Sequence, residues 1–263
     1  HTQDKLGGSF LQTTVALSSA FKSSGKVKNG YKSSTFSRFL ANREQIAERI
    51  RNQYKGMHYS HQGFVGETAL GGKPFQPLNG DVDINSADVL IPAFLAAYTG
   101  KDSGGIALTS FPSLSSILPN WRITYEGLNN IPFIKKYFKN FLLTHAYTCT
   151  YRVGSFSSFS NWVPVMEEQD GLGFIRDVLS GNPIPSSPFE VSSVSLNKAF
   201  APLFGMDATL HNNVTGTLKF QKMRTLNLNI SSVQLVEALS DEFVIGIGYQ
   251  FAEFNKFLKR RKK

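Results

Sequence analysis

Alternation of apolar and polar residues with a period of two dominates the end of this sequence and limits what the chain can fold into. The clearest case is Phe243–Phe251, where the odd positions hold Phe, Ile, Ile, Tyr and Phe. The even positions hold Val, Gly, Gly and Gln. Successive side chains of a β-strand point to opposite faces. The segment therefore predicts a strand with one apolar, aromatic-ended face and one small or polar face.

Two earlier segments follow the same rule, at residues 214–221 and 226–231. In the first, Val, Gly, Leu and Phe alternate with Thr, Lys and Gln; in the second, Leu and Ile alternate with Asn and Ser. A soluble sandwich also alternates, but its apolar face packs on a second sheet. Polar and small residues opposite a continuous apolar face are typical of a wall with lipid outside and water inside. The pattern predicts an all-β fold, the antiparallel wall of a transmembrane β-barrel.

The barrel prediction assigns a face to twelve residues of the last strands. The predicted lipid-facing residues are Leu226, Leu228, Ile230, Phe243, Ile245, Ile247 and Tyr249. The predicted lumen-facing residues are Asn227, Asn229, Ser231, Gly246 and Gly248.

The composition agrees with a barrel. The chain has 41% hydrophobic residues and a mean hydropathy of -0.17. No stretch approaches the roughly 18 consecutive apolar residues of a membrane helix. Alternation dilutes the membrane signal of a barrel, and the 22 Phe and 9 Tyr suit the aromatic girdles at its two interfaces.

Four segments describe the predicted organisation. Residues 1–21 form a barrel strand, and residues 22–118 form an insertion between strands with two short helices, at 35–54 and 86–98. Residues 119–251 form antiparallel strands, with turns at 211–214, 222–224 and 237–241. Residues 252–263 are a basic tail or the start of a further segment. Pro92 lies inside the second predicted helix, where a proline can split a helix.

The basic charge of the chain is concentrated at its end. Residues 252–263 carry six Lys or Arg and one Glu, so six minus one gives +5 of the chain's net charge of +9. We expect this end to be a solvated charged segment, with anionic lipid headgroups as a further potential partner. No nucleic-acid-binding fold accompanies it, and we do not predict a nucleic-acid partner.

The sequence shows no pattern typical of a catalytic, cofactor-binding or metal-binding site. Cys149 is the single cysteine and falls on the apolar parity of its strand, which predicts a buried thiol. Residues 81–92 begin like a calcium loop but lack its glycine and its final glutamate. We therefore expect a protein that is not an enzyme, with no catalytic, cofactor or metal-ligating residues and no cofactor.

Several longer motifs resemble one family. They are PNWRITYEGL at 119–128, DVLIPAFLAAY at 88–98, IPFIKKYF at 131–138 and SDEFVIGIGY at 240–249. They are similar in sequence and order to the SprA/Sov family, the outer-membrane translocon of the type IX secretion system of Bacteroidota. The resemblance runs over most of the chain and implies a portion near the C-terminal end of a very long chain that forms a very large barrel.

What the resemblance implies is a conduit in the bacterial outer membrane. It would export folded cargo proteins bearing a C-terminal sorting signal. Its partners would be the cargo, a shuttle β-barrel protein, a periplasmic plug, the outer-membrane lipid and the rest of the same long chain. The insertion at 22–118 would narrow the pore, cap it or dock a partner.

Two alternative interpretations, which assign the chain to other classes of protein, stay open. One is a small self-contained porin or adhesin barrel of about eight strands. The other is a soluble β-domain that binds carbohydrate or nucleic acid and uses the basic tail. Dependence of solubility on detergent would distinguish the soluble domain from both barrels. The length of the native open reading frame would distinguish a fragment of a large barrel from a complete small one.

Overall fold

A computed structural model describes residues 7–13, 17, 21, 33–58, 72–75, 82–111, 120–165, 173–176, 178–179 and 183–251. The described part of the chain is mostly antiparallel β-sheet with some helices. Its strands are β1 (Gly7–Thr13), β2 (Trp121–Tyr125), β3 (Phe138–Ser158), β4 (Val163–Pro164), β5 (Gly173–Arg176), β6 (Pro183–Ser186), β7 (Phe189–Leu210), β8 (Val214–Asn229) and β9 (Gln234–Tyr249).

The large sheet has the strand order β1-β3-β7-β8-β9, with β2 also paired to β3. Both β1 and β2 run antiparallel to β3. β1 pairs with residues 150–157 and β2 pairs with residues 143–147. Strands β4, β5 and β6 form a separate antiparallel sheet of short strands. The predicted sheet class is therefore confirmed.

Three α-helices lie in the described residues: α1 (Ser34–Tyr54), α2 (Ala87–Thr99) and α3 (Pro132–Tyr137). Helix α1 begins after Ser33, whose hydroxyl accepts a hydrogen bond from the Phe36 amide at 3.3 Å, as expected of an N-cap. No helix in the described residues is both long enough and apolar enough to cross a membrane.

The chain divides into two compact units. We call residues 1–118, 150–196 and 226–236 the helical unit, because they include α1 and α2. Residues 119–149, 197–225 and 237–263 form the strand unit. β3, β7, β8 and β9 each contribute residues to both units.

The core of the helical unit combines the two long helices with an aromatic cluster. Helix α2 is apolar around its circumference and buried from Val89 to Tyr98, as such a helix must be. Asn42 of α1 donates to the Ala93 carbonyl at 3.4 Å. Elsewhere in the unit, the Phe111 ring lies 5.6 Å from Phe10 and 5.0 Å from Phe156.

The core of the strand unit is a stack of aromatic rings on neighbouring strands. Tyr147 is fully buried, with its ring 4.6 Å from Trp121 and 4.7 Å from Phe200. Cys149 is also fully buried as a free thiol, which confirms the prediction of a buried cysteine.

The predicted helices and several strands are confirmed, with small shifts at their ends. The first strand spans Gly7–Thr13, within the predicted strand segment 1–21, but Leu17 of that segment is helical. Residues 1–6, 14–16 and 18–20 lie outside the described residues. The basic tail lies outside them as well. Pro92 does not split α2, which runs unbroken to Thr99 and ends at Gly100 with a φ of 80°.

Two of the three predicted turns are wrong. The turn at 211–213 is present, but residues 222–224 lie within β8 and residues 237–241 lie within β9. One hairpin with a turn at 230–233 replaces them. The charged residues that suggested turns lie on the strands, where they pair with one another across the hairpin.

Sequence reasoning also missed some short elements. A 3-10 helix spans Gly127–Asn130 and is followed directly by α3. The sheet of β4, β5 and β6 is also absent from the prediction, because strands of two to four residues are too short to display alternation.

Candidate lumen-facing and lipid-facing surfaces

The end of β9 presents an exposed row of apolar side chains. We call Phe243, Ile245, Ile247 and Tyr249 the apolar row; their exposed fractions are 61%, 67%, 85% and 55%. Alternation within one strand places these odd-numbered residues on one face. Four large apolar side chains exposed in succession mark a surface made to meet an apolar medium or a partner.

The opposite face of the same hairpin is small and polar. Gly246 lies against Thr217 of β8, since a Cβ atom on Gly246 would stand 3.5 Å from the Thr217 Cβ. A Cβ atom on Gly248 would stand only 2.6 Å from the Thr215 hydroxyl oxygen. We call Gly246, Gly248, Thr215 and Thr217 the polar row.

The polar row continues into a group of charged residues on β7 and β8. Thr217 donates a hydrogen bond to Asp207 at 2.7 Å, and the Lys219 ammonium lies 3.5 Å from the same carboxylate. These side chains are partly exposed. This part of the sheet is therefore a hydrated surface with charges of both signs.

Two of the residues predicted to face lipid do not. Leu226 and Leu228 are fully buried within the helical unit, with no exposed side-chain surface. A side chain that the chain itself covers cannot contact lipid, so this part of the prediction is corrected. Alternation identifies an apolar face correctly here, but it does not determine what covers that face.

The turn of the β8–β9 hairpin corrects two further assignments. Ile230 and Ser231, predicted to face lipid and lumen respectively, both lie in the turn at 230–233, where strand parity does not apply. The Ile230 amide donates to the Ser192 carbonyl at 3.0 Å. Asn227 and Asn229, predicted to face the lumen, lie on β8 and are exposed.

Charged side chains on β8 and β9 pair across the hairpin in the strand unit. The Lys222 ammonium lies 2.8 Å from an Asp241 carboxylate oxygen. Arg224 pairs with Glu237, and these side chains are only 2% and 16% exposed. Buried charges are tolerated when they are paired in this way.

Lys198 on β7 is also buried, with 3% exposure, and it interacts electrostatically with Arg224 and Glu237. The sequence contained a signal for it. Lys198 stands between Leu196 and Phe200 on the same parity, so it is a charge within an apolar row. Such an interruption of the alternation marks a buried polar contact.

The described surfaces of this hairpin are thus an exposed apolar row and a polar row that leads to charged residues. Among the described residues, no three His, Cys, Asp or Glu side chains are grouped to hold a metal ion. Neither a protein-family model nor a curated protein matches this chain.

Proposed function

We propose that this chain forms part of the wall of a transmembrane β-barrel in the bacterial outer membrane. The observation that supports this is the apolar row of β9, exposed on one face of a strand whose other face is glycine packed against threonine. Water disfavours such a surface, whereas hydrocarbon does not. The two faces therefore match the two media on either side of a barrel wall.

Strand length and connectivity favour the same proposal. Strands β3 and β7 have 21 and 22 residues, and β8 and β9 have 16 each. A transmembrane strand needs about 9–11 residues to cross the hydrocarbon core. All four are long enough to cross and to extend beyond it. The turn at 211–213 joins β7 to β8 tightly, as is common on the short-turn side of such barrels.

We further propose that the barrel conducts proteins. The support is the resemblance of residues 88–98, 119–128, 131–138 and 240–249 to the SprA/Sov family. On this proposal the chain belongs to a translocon that exports folded cargo bearing a C-terminal sorting signal. It acts with a shuttle barrel and a periplasmic plug, and the hydrated strand surface around Asp207 lines the path of the cargo.

Within this proposal the helical unit organises or restricts the pore. A conduit wide enough for folded cargo needs a closed state, because a permanently open pore would abolish the permeability barrier. Helices α1 and α2 form a packed core, with Phe39, Ile46 and Ile50 of α1 buried. A rigid element of this kind can hold a fixed position at a pore where a long loop could not.

The membrane proposal is tested by placing one arginine on each face of β9. Ile245→Arg and Gly246→Arg are adjacent in the strand, so they lie at nearly the same depth on opposite faces. Ile245→Arg should cost about 2–4 kcal/mol and reduce assembly in the outer membrane, while Gly246→Arg should cost much less. Heat-modifiable mobility and urea unfolding in lipid measure the two effects. Equal tolerance of the two variants would reject the lipid-facing assignment.

The conduit proposal is tested in cells that secrete a sorting-signal cargo. Ile46→Asn places an amide in the core of the helical unit, and Phe36→Asn places the same group at a site that is 38% exposed. At matched levels of assembled protein, Ile46→Asn should reduce cargo release or increase vancomycin sensitivity, and Phe36→Asn should do so less. Normal secretion and an intact barrier after removal of residues 35–54 and 86–98 would show that the helices are passive.

A further inference from the structure

The helical unit contains a cavity that none of the functions above uses. Its volume is about 240 Å³, and it lies between the end of α1, the start of α2, residues 108–111 and residues 185–189. Ligand pockets for drug-sized molecules start at roughly 300 Å³. The cavity is therefore of a size to hold one large side chain or a group of similar volume.

Asp88, in the first turn of α2, is the acidic group of this cavity. One carboxylate oxygen accepts a hydrogen bond from the Ser187 amide at 2.9 Å. A carboxylate has about four lone-pair sites, so it can accept further bonds from a ligand. No Lys, Arg or His stands among the described residues that line the cavity. Burial raises the pKa of Asp88 above its ordinary value, and a bound cation would offset that cost.

The lining also includes aromatic rings, which contacts with neighbouring residues hold in place. Phe111 and Phe189 meet edge to face at 5.4 Å between ring centroids, and Phe111 also contacts Phe10 and Phe156. The Tyr54 hydroxyl donates to the Gly173 carbonyl at 2.7 Å and accepts from the Gly173 amide at 3.3 Å. These contacts fix the walls before any ligand arrives, which reduces the entropy cost of binding.

A second and larger cavity adjoins the first. Its volume is about 690 Å³, and it shares Tyr54, Val82 and Pro185 with the smaller one. It is open to the exterior, and its lining carries charges of both signs, from Glu48, Arg51 and Lys55, beside His58 and Phe75. A polypeptide main chain lying in the larger cavity would be able to direct one side chain past Tyr54 into the smaller one.

We propose that the smaller cavity binds the side chain of an arginine presented by an extended polypeptide segment. A guanidinium pairs with a carboxylate through two parallel hydrogen bonds and stacks on aromatic rings, and it is more weakly hydrated than an ammonium. Asp88 supplies the carboxylate, and Phe111 and Phe189 supply the rings. The proposal does not depend on the channel function, since it concerns the helical unit by itself.

The test measures binding of fluorescein-labelled pentapeptides to the full native chain in detergent, by fluorescence anisotropy. The peptides carry arginine, citrulline or lysine at their centre, flanked by glycines. Citrulline has nearly the shape of arginine but no charge. The variant is Asp88→Asn, and the matched control is Asp83→Asn, an exposed carboxylate five residues away that accepts a hydrogen bond from the Asn85 amide and lies outside the described lining of either cavity.

The arginine peptide should bind at least about tenfold more tightly than the citrulline peptide, because loss of one partner of a buried charge pair is costly. The lysine peptide should lie between them. Asp88→Asn should abolish the preference for arginine, and Asp83→Asn should retain it. Unchanged affinity of Asp88→Asn for the citrulline peptide shows that the variant is folded. Equal binding of arginine and citrulline, equal binding of arginine and lysine, or a preference that survives Asp88→Asn would overturn the proposal.

Discussion

Strands in both units of this protein show the same alternating pattern, but the apolar face of β8 is buried in one unit and that of β9 is exposed in the other. In the helical unit, Leu226 and Leu228 of β8 are completely buried. In the strand unit, Ile245 and Ile247 of β9 are 67% and 85% exposed. The comparison shows that a period of two defines an apolar face but not the medium or the element that meets it. In one unit other described residues cover the apolar face, and in the other that face is exposed.

The largest expected effect concerns Arg224 and Glu237, which are only 2% and 16% exposed although they lie on the same hairpin as the apolar row. Glu237→Ala should destabilise the protein by about 3–5 kcal/mol, because Arg224 then loses its carboxylate partner in a buried position. The matched change is Asp241→Ala in the more exposed pair with Lys222, which should cost about 0–1 kcal/mol. Urea unfolding of the full chain in lipid measures both. A cost for Glu237→Ala no larger than that for Asp241→Ala would show that this face of the strand unit is hydrated.

Substitution by a larger side chain tests the difference in packing between the two apolar faces. Leu228→Trp should cost about 1–3 kcal/mol, since a buried site must move its neighbours to hold the larger ring. Ile247→Trp should stay within about 0.5 kcal/mol, because its site is open. The same unfolding experiment applies to both variants. Similar losses at the two positions would mean that Ile247 is also tightly packed in the native protein.

The two hairpin turns provide a smaller contrast of backbone conformation. Asn213 in the strand unit has a φ of 65°, and Val233 in the helical unit has a φ of 52°. Asparagine tolerates this left-handed region, whereas a β-branched residue is strained there. Val233→Gly should therefore stabilise the protein by about 1 kcal/mol, and Asn213→Gly should change stability by only a few tenths of that. A loss of stability in Val233→Gly would show that packing of the valine outweighs the strain.

The smallest effect concerns pH and is confined to the helical unit. Burial raises the pKa of Asp88 in the folded state, so protonation favours folding. This contribution is fully present below the ordinary carboxyl pKa of 3.8 and is lost as the pH rises through the raised folded value. The stability of the native protein relative to Asp88→Asn should therefore fall as the pH rises above 3.8. Hydrogen exchange of α2 in both proteins measures the difference, and parallel profiles would contradict it.

The sequence by itself determined the class of the fold and much of its local structure. Alternation at 243–249 predicted a strand because the backbone geometry that produces it is local. The helices predicted at 35–54 and 86–98 match α1 and α2 within one residue at each end, and parity predicted the burial of Cys149. These features depend on neighbours in the chain, which the sequence displays directly.

Only the tertiary structure decided where each strand ends and which strand faces are buried. Lys222, Arg224, Glu237 and Asp241 suggest turns when read locally, but they pair across β8 and β9 and let both strands run straight through. The burial of Leu226 and the joining of Asp88 to Ser187, 99 positions apart, have the same origin. Each depends on residues that are distant in sequence, and the free energy of such a contact exists only once the chain has brought the two partners together.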